Sequence, residues 1–356
     1  MAYDPLTTRG LIKVHASYRE EFPVQSFLRD FFFGNAPVIS KTKYVTIETM
    51  RDGQKVATSI RRGSQPTQVL GRDDHMRSIY EPPYFAEEAA ITVEDLETFS
   101  FGETAENPYD DNTKTLMILN EKLDNFEKKF ARTKELQAAE VLQNGYVTMV
   151  NGEKIIYDID ENLLNVNPAV DWDNATAANV KILDNLQTWA LLVFAKSGVM
   201  PNSIVVTPDV HSLMVNDANV QKAMDVKGFE LGKITAKKLE GYEGVAYGGE
   251  INVPGVGIMM IFSYAAKYHN GTALTDVLPE GTLIMANSNN MGRFMYAATL
   301  GIGPNGMPAY VPGEQSVFVK RADDIPPVTA VTVQMAPLAA PISLDTWLCA
   351  DVLTSA

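Results

Sequence analysis

The sequence predicts an α+β fold drawn out along one long helix. Three observations carry this: a helix of about 33 residues carrying an apolar stripe, several short alternating runs of strand type, and a polar stretch with almost no apolar anchors. The chain has 356 residues, 46% hydrophobic and 21% charged, values that exclude collagen, coiled-coil rods and wholesale disorder. A chain of this length can bury a real core and has room for two or three domains.

The first forty residues are irregular apart from an amphipathic helix expected at about 21–33. Phe27, Leu28, Phe31 and Phe32 share one side of it, Gly34 ends it and Pro37 blocks its return. Tyr18, Phe22 and Phe33 add to the aromatic character, so this arm needs cover, either from its own core or from a neighbour. Val45 and Ile47 then alternate in a strand at 44–49. Arg51-Asp52-Gly53 reads as its turn and residues 55–60 as its return. Arg61-Arg62-Gly63-Ser64-Gln65-Pro66 and Gly71-Arg72-Asp73-Asp74-His75 come next, basic and turn-rich. The whole reads as a long hairpin leaving the body and ending at Pro82-Pro83.

The clearest helix spans 112–144. Asp111 or Asn112 can cap it and Asn144-Gly145 stops it. Leu116, Leu119, Leu123, Phe126 and Phe130 form its stripe, and at ~1.5 Å per residue it measures roughly 50 Å, too long for the inside of a small ball. Asn151-Gly152 joins alternating runs at 146–150 and 154–159 into a hairpin. After a polar linker come a helix at 179–197 and a buried strand at 204–207. Beyond them lies one helix carrying Val210, Leu213, Met214, Val220 and Met224, with Asp209 as its cap. Strands are expected at 257–262, 282–286 and 328–335. Pro337 and Pro341 confine the C-terminal segment to an edge or an irregular extension.

Thirty Lys and Arg against forty-four Asp and Glu give a net charge of −14. Phosphate neutralisation supplies most nucleic-acid affinity, so such a surface argues against a DNA-binding role. Residues 1–81 hold 12 basic and 9 acidic side chains, a mildly basic front that could meet the acidic body of another copy. The single Cys349 excludes an internal disulfide and a Cys-rich zinc site, and reads as a buried inert thiol. No run approaches 18 apolar residues and Met1–Pro5 carries no targeting signal. The expectation is a soluble protein made in a reducing compartment, with no membrane partner.

Catalytic signatures fail one by one. Gly228-Phe229-Glu230-Leu231-Gly232-Lys233 has the wrong glycine spacing for a phosphate loop, and Ile234 stands where a magnesium ligand is needed. Asp158, Asp160 and Asn162 resemble a calcium loop, but Leu163 occupies the turn glycine position and Ala169 the chelating position. The glycines between 241 and 257 read as turns. His15, His75, His211 and His269 are scattered, and Asp73-Asp74-His75 reads as a polar loop. No metal, cofactor or catalytic residue is assigned. A dispersed Ser/His/Asp triad in 166–325 stays open as a hydrolase alternative.

The order of elements, with Phe27–Phe33, Lys43-Tyr44-Val45, Arg61–Ser64, Val199–Leu213, Val277–Thr282 and Gln334–Leu338, resembles the major capsid (head) protein E family of lambda-like tailed phages. The resemblance implies the Hong Kong 97-type capsid fold. Its parts would be an N-terminal arm at 1–40, an extended loop at 41–85, a peripheral domain at 86–165 and 326–356 with a spine helix at 112–144, and an axial domain at 166–325. It implies a structural protein rather than an enzyme, assembling with itself as hexamers and pentamers into an icosahedral head around the phage genome. DNA would be enclosed without sequence-specific binding. A separate scaffolding protein, a portal, a maturation protease and a decoration protein are its expected partners, with assembly in the host cytoplasm and residence in the virion. Intersubunit contact residues are expected to be Phe27, Phe31 and Phe32 on the arm and Arg61, Arg62, Arg72 and Arg77 on the loop. An encapsulin-like or other shell component is the nearer alternative.

Overall fold

The computed structural model describes residues 23–50, 75–97, 110–149, 151–174, 180–224, 237–239, 241–288, 291–302, 307–322 and 328–354. The chain opens with α1 (Phe27–Phe32), β1 (Asn35–Ile39), β2 (Val45–Met50), β3 (His75–Tyr80), β4 (Phe85–Ile91) and α2 (Val93–Glu97). The long helix α3 (Asp111–Asn144) leads into β5 (Tyr146–Thr148), β6 (Lys154–Ile156) and a 3-10 turn at Glu161–Leu163. Then come α4 (Ile182–Ser197), β7 (Ser203–Val206), α5 (Pro208–Asn216), α6 (Ala218–Met224), β8 (Lys237–Lys238), β9 (Val245–Val253) and β10 (Gly257–Tyr264). The rest is strand: β11 (Lys267–His269), β12 (Leu274–Asp276), β13 (Thr282–Ala286), β14 (Gly292–Tyr296), β15 (Thr299–Ile302), β16 (Pro308–Val311), β17 (Ser316–Ala322), β18 (Val328–Met335), β19 (Pro337–Pro341) and β20 (Trp347–Asp351).

A six-stranded sheet in the order β20-β13-β7-β10-β9-β8 forms the centre. Alternation along its strands sorts side chains to two cores. Ile204, Val206, Met259, Ile261, Leu283, Met285, Leu348 and Ala350 face α4, α5 and α6. Val205, Phe262, Tyr264, Ile284, Trp347 and Cys349 face the other way, onto α1, the C-terminal half of α3 and the β5–β6 hairpin. A smaller sheet, β17-β18-β4, packs Val331, Val333 and Met335 on Phe126 and Phe130 of α3, with Leu119 and Leu123 partly buried beside them.

The 34-residue length of α3 is thereby explained. Its first half lies on the smaller sheet and its second half lies beneath the central one, through Ala138, Ala139, Val141 and Leu142. Gly145 ends it in the left-handed conformation (φ 70°), with its N–H on the Val141 carbonyl at 2.9 Å. Leu116 is 59% exposed, so the stripe outruns the sheet that covers the rest of it.

Two sequence expectations need correction, and a third falls on residues that are not described. β2 pairs with β3, from Val45↔Tyr80 to Met50↔His75, and residues 55–60, expected as the return of β2, lie outside the described residues. The single helix after Asp209 is two, because Asp217 breaks it. The Asp217 carboxylate accepts the N–H groups of Asn219 and Val220, both at 2.9 Å, and so caps α6. The 326–356 segment is divided between sheets: β18 joins β4 and β17, β19 joins β14 and β1, and β20 closes the central sheet beside β13. Pro337 and Pro341 begin and end β19, which is an edge strand. Among the described residues no helix is long and apolar enough to cross a membrane.

Candidate assembly surfaces

The extended hairpin begins at a well-anchored root. Val45 is 2% exposed and packs with Ala297 and Ala336, while the Ala298 N–H reaches the Thr42 carbonyl at 3.0 Å. Next to it is a shallow cleft between Ile47, Ser78 and Tyr80 on the stem and Tyr157, Asp158, Pro341 and Leu344 on the body. Tyr157 is held by its hydroxyl, which donates to the Ala339 carbonyl at 2.7 Å, and burial pushes that phenol's pKa up. On the stem beside this root, Ile79 is 62% exposed.

Arg77 sits on the exposed stem, 3.4 Å from Glu48, its direct cross-strand partner. Both side chains are solvated, so the pair is worth at most about 1 kcal/mol. Arg61, Arg62 and Arg72 lie outside the described residues, as do Asp73 and Asp74.

The arm aromatics are a correction. Phe27 is 2% and Phe32 1% exposed within this chain, and Phe31 packs on the same cluster. The Phe27 ring lies 5.0 Å from Phe31, 5.3 Å from Phe262 and 5.6 Å from Tyr242. Apolar surface already removed from water has nothing left to offer a neighbour, so Phe27 and Phe32 serve the subunit's own core. The segment 27–33 is therefore core and not free arm.

Glu135 of α3 makes that docking specific. Its buried carboxylate accepts the Leu28 and Arg29 N–H groups, both at 2.9 Å, and the Tyr264 hydroxyl at 2.8 Å. It takes up donors that the start of α1 leaves unpaired and ties them to the central sheet. Burial raises the Glu135 pKa although all three hydrogen bonds pull the other way. Neighbouring Lys134 is pushed down by burial and then by Arg29, and its ammonium lies 5.8 Å from the centre of the Tyr296 ring. Sequence reasoning passed over Glu135. The signal was present: a carboxylate three, four and seven residues before Ala138, Ala139 and Leu142 lies on the apolar stripe, where only a buried partner would keep it.

The residues considered for chemistry are spent on structure. Asp160 caps the 3-10 turn by accepting the Asn162 N–H at 2.9 Å and pairs with Lys196 at 2.5 Å. Those contacts, Lys196 first, pull its pKa down to about 2. His211 packs on Gly248, where an added Cβ would fall 2.3 Å from Nε2, and burial lowers its pKa. Cys349 is buried and its thiol is pushed up to about 12 by burial. Gly248 and Gly249 lie where the β9–β10 register shifts, and Gly255 and Gly257 turn between those strands. The phosphate-loop-like stretch at 228–233 lies outside the described residues.

The described residues form a two-stranded stem, a long helix spanning two sheets and a three-layer centre. The family described as phage major capsid protein E matches residues 12–352. The chain belongs to that family. Solved structures agree on the fold. A capsid protein of a prophage of E. coli CFT073 is 16% identical with a TM-score of 0.64, over 92% of this chain and 93% of that one. The capsid of an empty GTA particle is 12% identical with a TM-score of 0.52, over 99% and 100%. The SrpI encapsulin of Synechococcus elongatus PCC 7942 is 10% identical with a TM-score of 0.51, over 98% and 96%. No curated protein matches the sequence. The fold is the Hong Kong 97-type capsid fold, and this capsid protein is a shell-forming structural protein and not an enzyme, which removes the hydrolase alternative.

Proposed function

We propose that this chain builds the icosahedral head of a tailed phage as hexamers and pentamers closed by heterologous contacts, enclosing the genome without binding its sequence. The observation that carries this is the family match over residues 12–352. An acidic surface, with a net charge of −14, suits a wall that must hold packed DNA without adhering to it. A scaffolding protein, portal, maturation protease and decoration protein complete the proposed partnership, with assembly in the host cytoplasm.

Within the subunit, 41–85 acts as the extended loop, with Arg61, Arg62, Arg72 and Arg77 meeting acidic surface on the next copy. Pairing of β2 with β3 supports a stem for that loop. Pairing of β4 with β18 supports a peripheral unit that draws on both 86–165 and the start of 326–356, and the central sheet supports an axial unit within 166–325 completed by β20. The encapsulin likeness keeps a cargo-holding shell as the second reading.

The test is electron microscopy of the full chain expressed with and without a scaffolding protein, beside a variant lacking 53–72. That deletion leaves the pairs at 45–50 and 75–80 in place. The expected result is closed shells from the intact chain and soluble subunits without shells from the variant. Normal shells from the variant would refute the loop's role. An intact chain that never forms shells would refute the assembly reading.

A further inference from the structure

We propose that the outer face of the β15–β16 hairpin is a contact surface for a second copy of this chain, closed only in the assembled shell. This deepens the assembly reading and rests on it. The register sets Leu300 opposite Tyr310 and Ile302 opposite Pro308. Strand alternation puts these four side chains on one face. That face is bare, with Leu300 59%, Ile302 66% and Tyr310 48% exposed, and Met307 beside it 71% exposed.

The opposite face is committed. Thr299 is fully buried and its hydroxyl donates to Ser316 Oγ at 2.7 Å. Gly301 lies so close to the Phe318 ring that an added Cβ would fall 2.4 Å from it. The hairpin is thus fastened to β17 and cannot turn over to hide its apolar side.

Charge selects the occupant. Residues 299–311 contain no Asp, Glu, Lys or Arg in a chain of net charge −14. Two like-charged copies repel over most of their surfaces, and a neutral apolar patch is where they can touch without opposing charges. The same lack of cations leaves nothing to grip a phosphate backbone, which excludes DNA as the occupant. Area agrees. Four half-exposed side chains offer on the order of 300 Å², the size of a typical monomer's largest apolar patch, which is often functional. A lasting pairwise complex needs about 800 Å² per partner. The face is too small to hold a dimer in solution, and it suits a contact repeated many times in a lattice held by others.

The test places a thiol on the face with Ile302→Cys in the full chain. The native thiol, Cys349, is buried and supplies little background. The introduced thiol should react with a maleimide in free subunits and lose that reactivity in shells. Equal reactivity in both overturns the proposal. A second variant, Leu300→Asp with Ile302→Asp, changes only exposed positions, so it should keep the unmodified chain's circular dichroism and melting and yet lose shell formation. Shells formed at the unmodified chain's yield by this variant also overturn the surface while leaving the assembly reading standing. If the unmodified chain makes no shells, the assembly reading falls and the surface falls with it.

Discussion

Replacing Glu135 with leucine should unlatch α1. Three donors lose their acceptor: the Leu28 and Arg29 N–H groups and the Tyr264 hydroxyl. Each unsatisfied buried donor costs about 1–3 kcal/mol, while removing the carboxylate returns part of its desolvation cost. The net expectation is a loss of about 3–5 kcal/mol, or a melting temperature lower by on the order of 5–10 °C. Tyr264→Phe removes a single bond and should cost about 1–1.5 kcal/mol. Glu135→Gln should fall between the two. It also supplies a pH signature. Burial raises the Glu135 pKa above its ordinary 4.5, so the folded state holds that proton more tightly than the unfolded one. The associated stability is complete below about 4.5 and is lost as pH rises through the folded-state value. Glu135→Gln should abolish that part of the slope. Thermal melts followed by circular dichroism across pH 4–8 measure both effects. A leucine variant that melts with the unmodified chain would refute the latch.

Gly145→Ala should destabilise the end of α3 by about 1–2 kcal/mol through its left-handed backbone. The nearest atoms to the new Cβ are the mobile ends of Leu164 and Ile159, at 2.9 and 3.0 Å, and they can yield, so backbone strain sets the cost, read by urea denaturation. Lys196→Met should let the Asp160 carboxyl titrate nearer its ordinary 3.8 than about 2, followed by carboxyl NMR. The Asp160 contribution to stability is full above pH 3.8 and fades toward pH 2, so this variant should flatten the acid limb between those values. An unmoved titration would show that Asn162 alone holds the carboxylate.

Much of the architecture was legible because period and punctuation agree. The α3 stripe together with Asn144-Gly145 placed that helix to within a residue of Asp111–Asn144. Asn151-Gly152 located the β5–β6 hairpin, with Gly152 at φ 82°. What failed depends on distant partners. Arg51-Asp52-Gly53 lies outside the described residues, while β2 pairs with residues 75–80, a partner remote in sequence that local pattern cannot name. The arm aromatics raised a sound question about cover, but periodicity cannot say whose core supplies it. The face at Leu300, Ile302 and Tyr310 escaped notice because glycine and proline interrupt so short an alternation, and because exposure is decided only when Thr299 and Gly301 settle on β17.

The position of β20 bears on how the subunit is made. Its residues, 347–351, complete a sheet whose other strands lie between 237 and 286 or at 203–206, and Trp347 locks it through an indole N–H donated to the Leu142 carbonyl at 3.0 Å. A ribosome must translate past 351 before the β13 edge is sealed. Nascent or prematurely terminated polypeptides therefore carry an open strand edge and part of each hydrophobic layer unfilled. Such fragments expose a sheet edge and apolar surface open to proteolysis or chaperone capture, so completeness of the chain is a condition for its stable fold.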